Sequence, residues 1–119
     1  MGFRVEIAPR ALADIDEALL YIKQDSRERA SKWLLGIIDA INSLEAMPAR
    51  CVAAPESVDA GKEVRVLLFG KRQHVYRIFF SIQVEDEDKG VVRVLHVRHG
   101  AQRRLEAGEL QQLLQEGEA

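Results

Sequence analysis

Phe3, Val5 and Ile7 alternate with Arg4 and Glu6 at the start of the chain, the period of two that a half-buried strand requires. Pro9 suits the first position of a helix, where its missing N–H costs nothing. Leu12, Ile15, Leu19 and Ile22 then recur at spacings of three and four, predicting a helix over Pro9–Gln24 with one apolar stripe. Asp25 and Glu28 have the spacing of a capping box and open a second stripe. That stripe runs through Ala30, Trp33, Leu34, Ile37, Ile38, Ile41 and Leu44 and stops before Pro48. With one or two residues between them, the two helices must form an antiparallel hairpin. Trp33 lies on the stripe and is expected in the core.

Residues 47–62 contain Pro48, Pro55 and Gly61 without a sustained period and predict a loop. Three strand-like runs follow: Val64–Phe69, His74–Val84 and Val91–His99. The turns Gly70–Gln73 and Glu85–Gly90 join them, which implies an antiparallel meander. Leu105, Leu110, Leu113 and Leu114 suggest a last amphipathic helix within Gln102–Gln115. The fold class is therefore α+β, in the order β-α-α-β-β-β-α. The N-terminal strand and helical hairpin pack on an antiparallel sheet, with a C-terminal helix added. Residues 1–105 are expected to form one domain and 106–119 an acidic helical tail. The hairpin should cover one face of the sheet and leave the other free for function.

The chain has 119 residues, enough for one core and too few for two. No apolar run approaches the ~20 residues of a membrane span, and the first residues lack a secretion signal, so the expected address is the cytoplasm. Cys51 is the single cysteine, which rules out an internal disulfide and a zinc-finger cluster. No Gly-rich phosphate loop or Ser-centred elbow is present, so neither a cofactor nor a metal is expected. The net charge of −2 conceals a segregation. Residues 1–60 hold 7 basic against 10 acidic side chains, 61–105 hold 10 against 5, and 106–119 hold none against 4. The basic middle can take an anionic partner, and the acidic tail can fold back over it.

Candidate chemistry lies in that basic segment. Arg65 and Arg77 sit within strands between apolar neighbours, Arg93, His96, Arg98 and His99 punctuate the last strand, and Arg103 and Arg104 follow Gly100. A meander can bring such positions onto one open face, where the planar guanidinium fork grips phosphates or carboxylates. The plain alternative is a solvated face, or pairing with acids such as Glu63. His99 closes a strand and is the better proton-transfer candidate, while His96 suits a packed position. Lys71 and Arg72 form a basic hairpin tip, and His74 opens its strand as a structural or solvated residue.

The run Val5-Glu6-Ile7-Ala8-Pro9-Arg10-Ala11-Leu12-Ala13-Asp14-Ile15-Asp16-Glu17, with Tyr21-Ile22, resembles the opening strand and helix of ParE/RelE-type toxins. Val64-Arg65 and Tyr76-Arg77-Ile78-Phe79-Phe80 are similar to their central hairpin. Val94-Leu95-His96-Val97-Arg98-His99-Gly100-Ala101-Gln102-Arg103 is similar to their closing strand and turn. The resemblance spans residues 3–104. It implies the toxin of a type II toxin–antitoxin, or plasmid-stabilisation, module that inhibits growth and is neutralised by a cognate antitoxin. Assembly as a homodimer or as a toxin–antitoxin hetero-oligomer stays open.

Two activities follow from the resemblance. RelE-type members cut messenger RNA on the ribosome, and ParE-type members poison DNA gyrase. In the first case the resemblance makes Arg65, Arg77 and Arg103 the phosphate clamp of a metal-independent endoribonuclease, and His99, by its place at the strand end, completes the catalytic set as a proton-transfer group. In either case Lys71, Arg72, Arg93, Arg98 and Arg104 are the candidates for contacting target or antitoxin. Gln102 stands where the family usually has arginine, Glu63 where a second lysine is expected, and no tyrosine follows Tyr76. That incomplete set, and a pI near 5.9, favour gyrase poisoning over RNA cleavage. A non-toxic partner-binding domain is the third reading.

Overall fold

A computed structural model describes residues 2–56, 63–86 and 89–118. Strand β1 (Phe3–Ile7) leads into α1 (Pro9–Asp25), which Pro9 opens at its first position. Helix α2 (Arg27–Asn42) follows after one residue. That residue, Ser26, is extended and serves both helices: its N–H bonds to Ile22 O at 2.9 Å, and its Oγ accepts the Arg29 N–H at 3.1 Å. Ser26 therefore caps α2 in place of the expected Asp25, which remains in α1 and pairs with Arg29 one turn on. The buried stripe of α1 is Ala11 and Ile15, with Ala18 packed beside them; Leu12 is half exposed.

The second helix ends at Asn42 and its expected last residues form a 3-10 turn, Ser43–Glu45; the expected loop holds another, Pro48–Arg50, and a short strand β2 (Val52–Ala53). Residues 57–62, Gly61 among them, lie outside the described residues, as do Glu87 and Asp88 of the acidic turn. Strands β3 (Arg65–Phe69), β4 (Tyr76–Asp86) and β5 (Lys89–His99) form the predicted meander. At the β3–β4 turn Gly70 has a φ of +112°, and a Cβ there would meet His74 O at 2.0 Å, so only glycine fits. The chain ends in α3 (Ala107–Glu118), which starts later than the leucine spacing suggests. Gln102 is held in a turn by His99, and Glu109 caps the helix start by accepting the Glu106 N–H at 3.0 Å.

The sheet order is β1-β5-β4-β3-β2, with β1 parallel to β5 and the other pairs antiparallel. The hairpin buries Ile15, Ile37, Ile41 and Leu44 against Ile78, Phe80, Val92 and Val94 on one face. Trp33 packs at the edge of this core, edge-on to Tyr76 with ring centres 5.2 Å apart. The opposite face is not free, as the two-layer expectation had it. Helix α3 covers it, burying Leu105, Leu110, Leu113 and Leu114 on Val66, Phe79 and Leu95. Phe79 and Phe80 are adjacent and both fully buried, the mark of a strand enclosed by two layers.

Candidate functional site

Strand alternation decides where the basic side chains go. Arg65 lies opposite Phe80 in the β3–β4 register, so it projects on the hairpin side of the sheet. Arg77 lies opposite Leu68 and its guanidinium stands 4.7 Å above the Phe79 ring, on the α3 side. The two arginines thus occupy opposite faces, and the single surface expected of them does not form.

Each buried-end guanidinium also has a partner within the chain. Arg65 donates to the carbonyls of Cys51 and Ala49 and pairs with Glu63, tying the loop before β2 to β3. Arg77 holds Glu56 through two parallel hydrogen bonds of 2.9 and 2.8 Å, the bidentate arrangement that an arginine makes best. Glu56 is 2% exposed and also accepts the Leu105 N–H, so it joins β4 to the segment that enters α3. Burial pushes the Glu56 carboxyl up, but the Arg77 bond and the backbone N–H groups outweigh it and leave the carboxyl below its ordinary range. Arg93 pairs with Glu6 across the β1–β5 ladder at 3.0 Å. Arg103 grips Glu109 of α3 at 2.7 and 3.1 Å, which holds the Glu109 carboxyl down to about 2.

The remaining candidates differ. Arg98 gives its Nε–H to Arg103 O at 2.8 Å. Lys71, Arg72 and Arg104 are exposed and make no side-chain ion pair among the described residues. His96 is a packed strand histidine, 2.6 Å from Asp14 through Nδ1 and stacked on Phe79. His99 is half-buried at the end of β5, edge-on to Tyr76 with ring centres 5.0 Å apart. Its Nδ1 accepts the Ala101 N–H at 3.0 Å.

Sequence reasoning missed the acids. Glu56, Glu6, Glu109 and Asp14 carry no local mark that assigns them to arginines, a histidine or a strand edge. The separations of 21 residues for Arg77–Glu56 and 87 for Arg93–Glu6 explain this. Asp14 also fills an odd position. Strand β1 ends beside Val94, so β5 continues beyond it with an open edge, and the Asp14 carboxylate takes the Val97 N–H there at 3.0 Å. A cleft of about 740 Å³ opens at that point between α1 and the end of β5. A larger and more apolar groove of about 1080 Å³ lies at the other end of the hairpin face, bordered by Phe3, Met47, Arg50, Arg65, Ile82 and Val84.

Chemically, the arrangement is richer in binding surface than in reactive groups. Metal-free cleavage of RNA asks for a base, an acid and cations gathered on one phosphate. Here Arg65, Arg77 and Arg93 are divided between two faces and matched to carboxylates. The helical hairpin, by contrast, presents Leu20, Tyr21 and Leu35 at 62%, 75% and 67% exposure. Comparison with known families finds that residues 5–104 fit the model for the ParE toxin of the type II toxin–antitoxin system parDE. No curated protein matches the chain.

Proposed function

The chain belongs to the ParE toxin family of type II toxin–antitoxin systems, and from that premise we propose that it arrests growth by binding DNA gyrase and blocking it. A cognate antitoxin encoded beside it holds it inactive. The observation that carries the reading is the division of Arg65 and Arg77 between the two sheet faces, each with its own carboxylate partner. A phosphate would have to displace those carboxylates, and no single phosphate reaches both arginines. Binding without chemistry makes no such demand. It needs accessible apolar anchors, and the hairpin supplies them in Leu20, Tyr21 and Leu35. None of the described helices is long and apolar enough to cross a membrane, and a gyrase poison would act in the cytoplasm.

The test is a supercoiling assay with purified gyrase and the full chain in molar excess. Supercoiling should stop, and addition of the antitoxin should restore it. Undiminished supercoiling, together with cleavage of messenger RNA on translating ribosomes, would replace this reading with the ribonuclease one.

A further inference from the structure

We infer that the end of the sheet formed by the β3–β4 turn and the segment after β5 binds the phosphate backbone of duplex DNA. DNA is chosen among polyanions on the gyrase reading, which this surface extends: the toxin meets the enzyme together with the DNA that the enzyme holds. The strand register supplies the frame. Leu68, Arg77 and Arg98 lie opposite one another on β3, β4 and β5, so their side chains form a row on the α3 face. Helix α3 covers Val66, Phe79 and Leu95 behind that row, and Leu68 is 63% exposed. The face is therefore open at this end.

Two chain segments meet here. The Arg103 carbonyl accepts from Arg98, and the Leu105 N–H donates to Glu56, the partner of Arg77. Residues 103–105 therefore cross the row from β5 towards β4, with Arg104 between the two anchors. The Gly100 N–H donates to Val75 O at 2.7 Å, which ties the turn after β5 to the end of the turn that carries Lys71 and Arg72. Carboxylates answer part of this charge: Glu56 takes Arg77 and Glu109 takes Arg103. Lys71, Arg72, Arg98 and Arg104 form no salt bridge among the described residues. Glu109 lies close enough to act on Arg98, and Glu106 on Arg103, so the surplus is centred on Lys71, Arg72 and Arg104. Arg72 holds a left-handed backbone, with φ of +58°, which glycine or asparagine adopts more readily. An arginine kept there carries local strain, and strain of that kind gathers at working surfaces.

Spacing, polarity and position favour a DNA backbone. Three neighbouring strands spread the row over about 10 Å, with the turn beyond it. That width meets about three phosphates of one DNA strand at a rise of about 3.4 Å each. The other end of β4 carries Glu85 and Asp86, so a chain of net charge −2 still presents one positive end. This end also adjoins the apolar anchors of the hairpin, since Leu20 and Tyr21 line a cleft with His99 and Gln102 of the same turn. A target that grips those side chains brings what it carries against the cations, and gyrase carries duplex DNA.

A labelled DNA duplex titrated with the purified full chain, without gyrase and followed by fluorescence anisotropy, tests this. The dissociation constant should lie below about 100 µM at low salt. Log affinity against log salt should have a slope of about −3, roughly −0.9 for each cation engaged. Lys71→Gln with Arg72→Gln should flatten that slope by about 2 and weaken binding at least about tenfold, at the parent's melting temperature. Arg104→Gln should flatten it by about 1. Lys89→Gln, at the far end of β5, should bind as the parent does. Absence of binding up to about 1 mM at low salt overturns the DNA surface. So does a Lys71–Arg72 double variant that binds like the parent, or a Lys89 variant weakened as much as the double variant. A glutamate-rich peptide or a single-stranded RNA of equal charge that binds more tightly than the duplex also overturns it, because each names a different partner. The supercoiling assay decides the gyrase reading separately: inhibition without duplex binding keeps that reading and removes the DNA surface, and duplex binding without inhibition does the reverse.

Discussion

Glu56 shows how much a single carboxylate can organise. At 2% exposure it would be costly to bury alone, and two bonds from Arg77 with one from the Leu105 N–H offset that cost. Glu56→Gln keeps the shape and removes the charge, leaving the Arg77 guanidinium partly buried without its counter-ion. A loss of about 2–3 kcal/mol is expected, or a fall in Tm of about 10 °C, read by thermal unfolding. The pH dependence has a definite sign. The folded carboxyl titrates below its ordinary value of 4.5, so its contribution is complete above that pH and disappears as the pH falls through the lower folded value. The parent should therefore lose stability on acidification below about pH 5 more steeply than the Gln variant. Equal slopes would mean that the pair contributes nothing through its charge.

Among the elements, α3 has the largest consequence. Its leucines close the second face of the sheet over Val66, Phe79 and Leu95, and its Glu109 answers Arg103. Burying a leucine is worth roughly 1.5–3 kcal/mol, so Leu110, Leu113 and Leu114 together hold a sizeable share of a small domain's stability. Ending the chain after Glu106 is expected to uncover a continuous apolar strip on β3, β4 and β5. The shortened protein should bind a hydrophobic dye strongly and lose solubility when isolated; a monomer with the parent's Tm and no dye binding would show that α3 merely rests on the sheet. The hairpin behaves differently as an element. Its junction is a single serine that ends one helix and begins the next, and Gly36 of α2 sits where a Cβ would come within 2.7 Å of the Phe69 ring. Both features keep α2 close to β3, so its outer side is the one that stays open.

At the scale of the molecule, the two faces of the sheet have different coverings and the hairpin carries the exposed apolar side chains. Replacing Leu20 and Leu35 together by aspartate alters positions at 62% and 67% exposure, where a change should cost within about 0.5 kcal/mol each. Gyrase inhibition should fall at least about tenfold with the melting temperature nearly unchanged. Full inhibition by this variant would place the target contact elsewhere on the surface.

Periodicity alone determined the helical hairpin, the meander and the place of Trp33, and the resemblance of short residue runs indicated the family, because each depends on neighbours a few residues apart. The adjacent pair Phe79-Phe80 also held a sign of a second layer, although alternation gave more weight to a one-sided sheet. Local pattern could not say that β1 would add to β5 in parallel, that α3 would close the far face, or which acids Arg77, Arg93 and Arg103 would meet. Those outcomes depend on pairs brought together across the fold, such as Asp14 and His96, 82 residues apart. A guanidinium in a strand looks the same in sequence whether it awaits a phosphate or already holds a glutamate. Only the three-dimensional arrangement decides, because the energy of an ion pair depends on distance and burial, and neither is written along the chain.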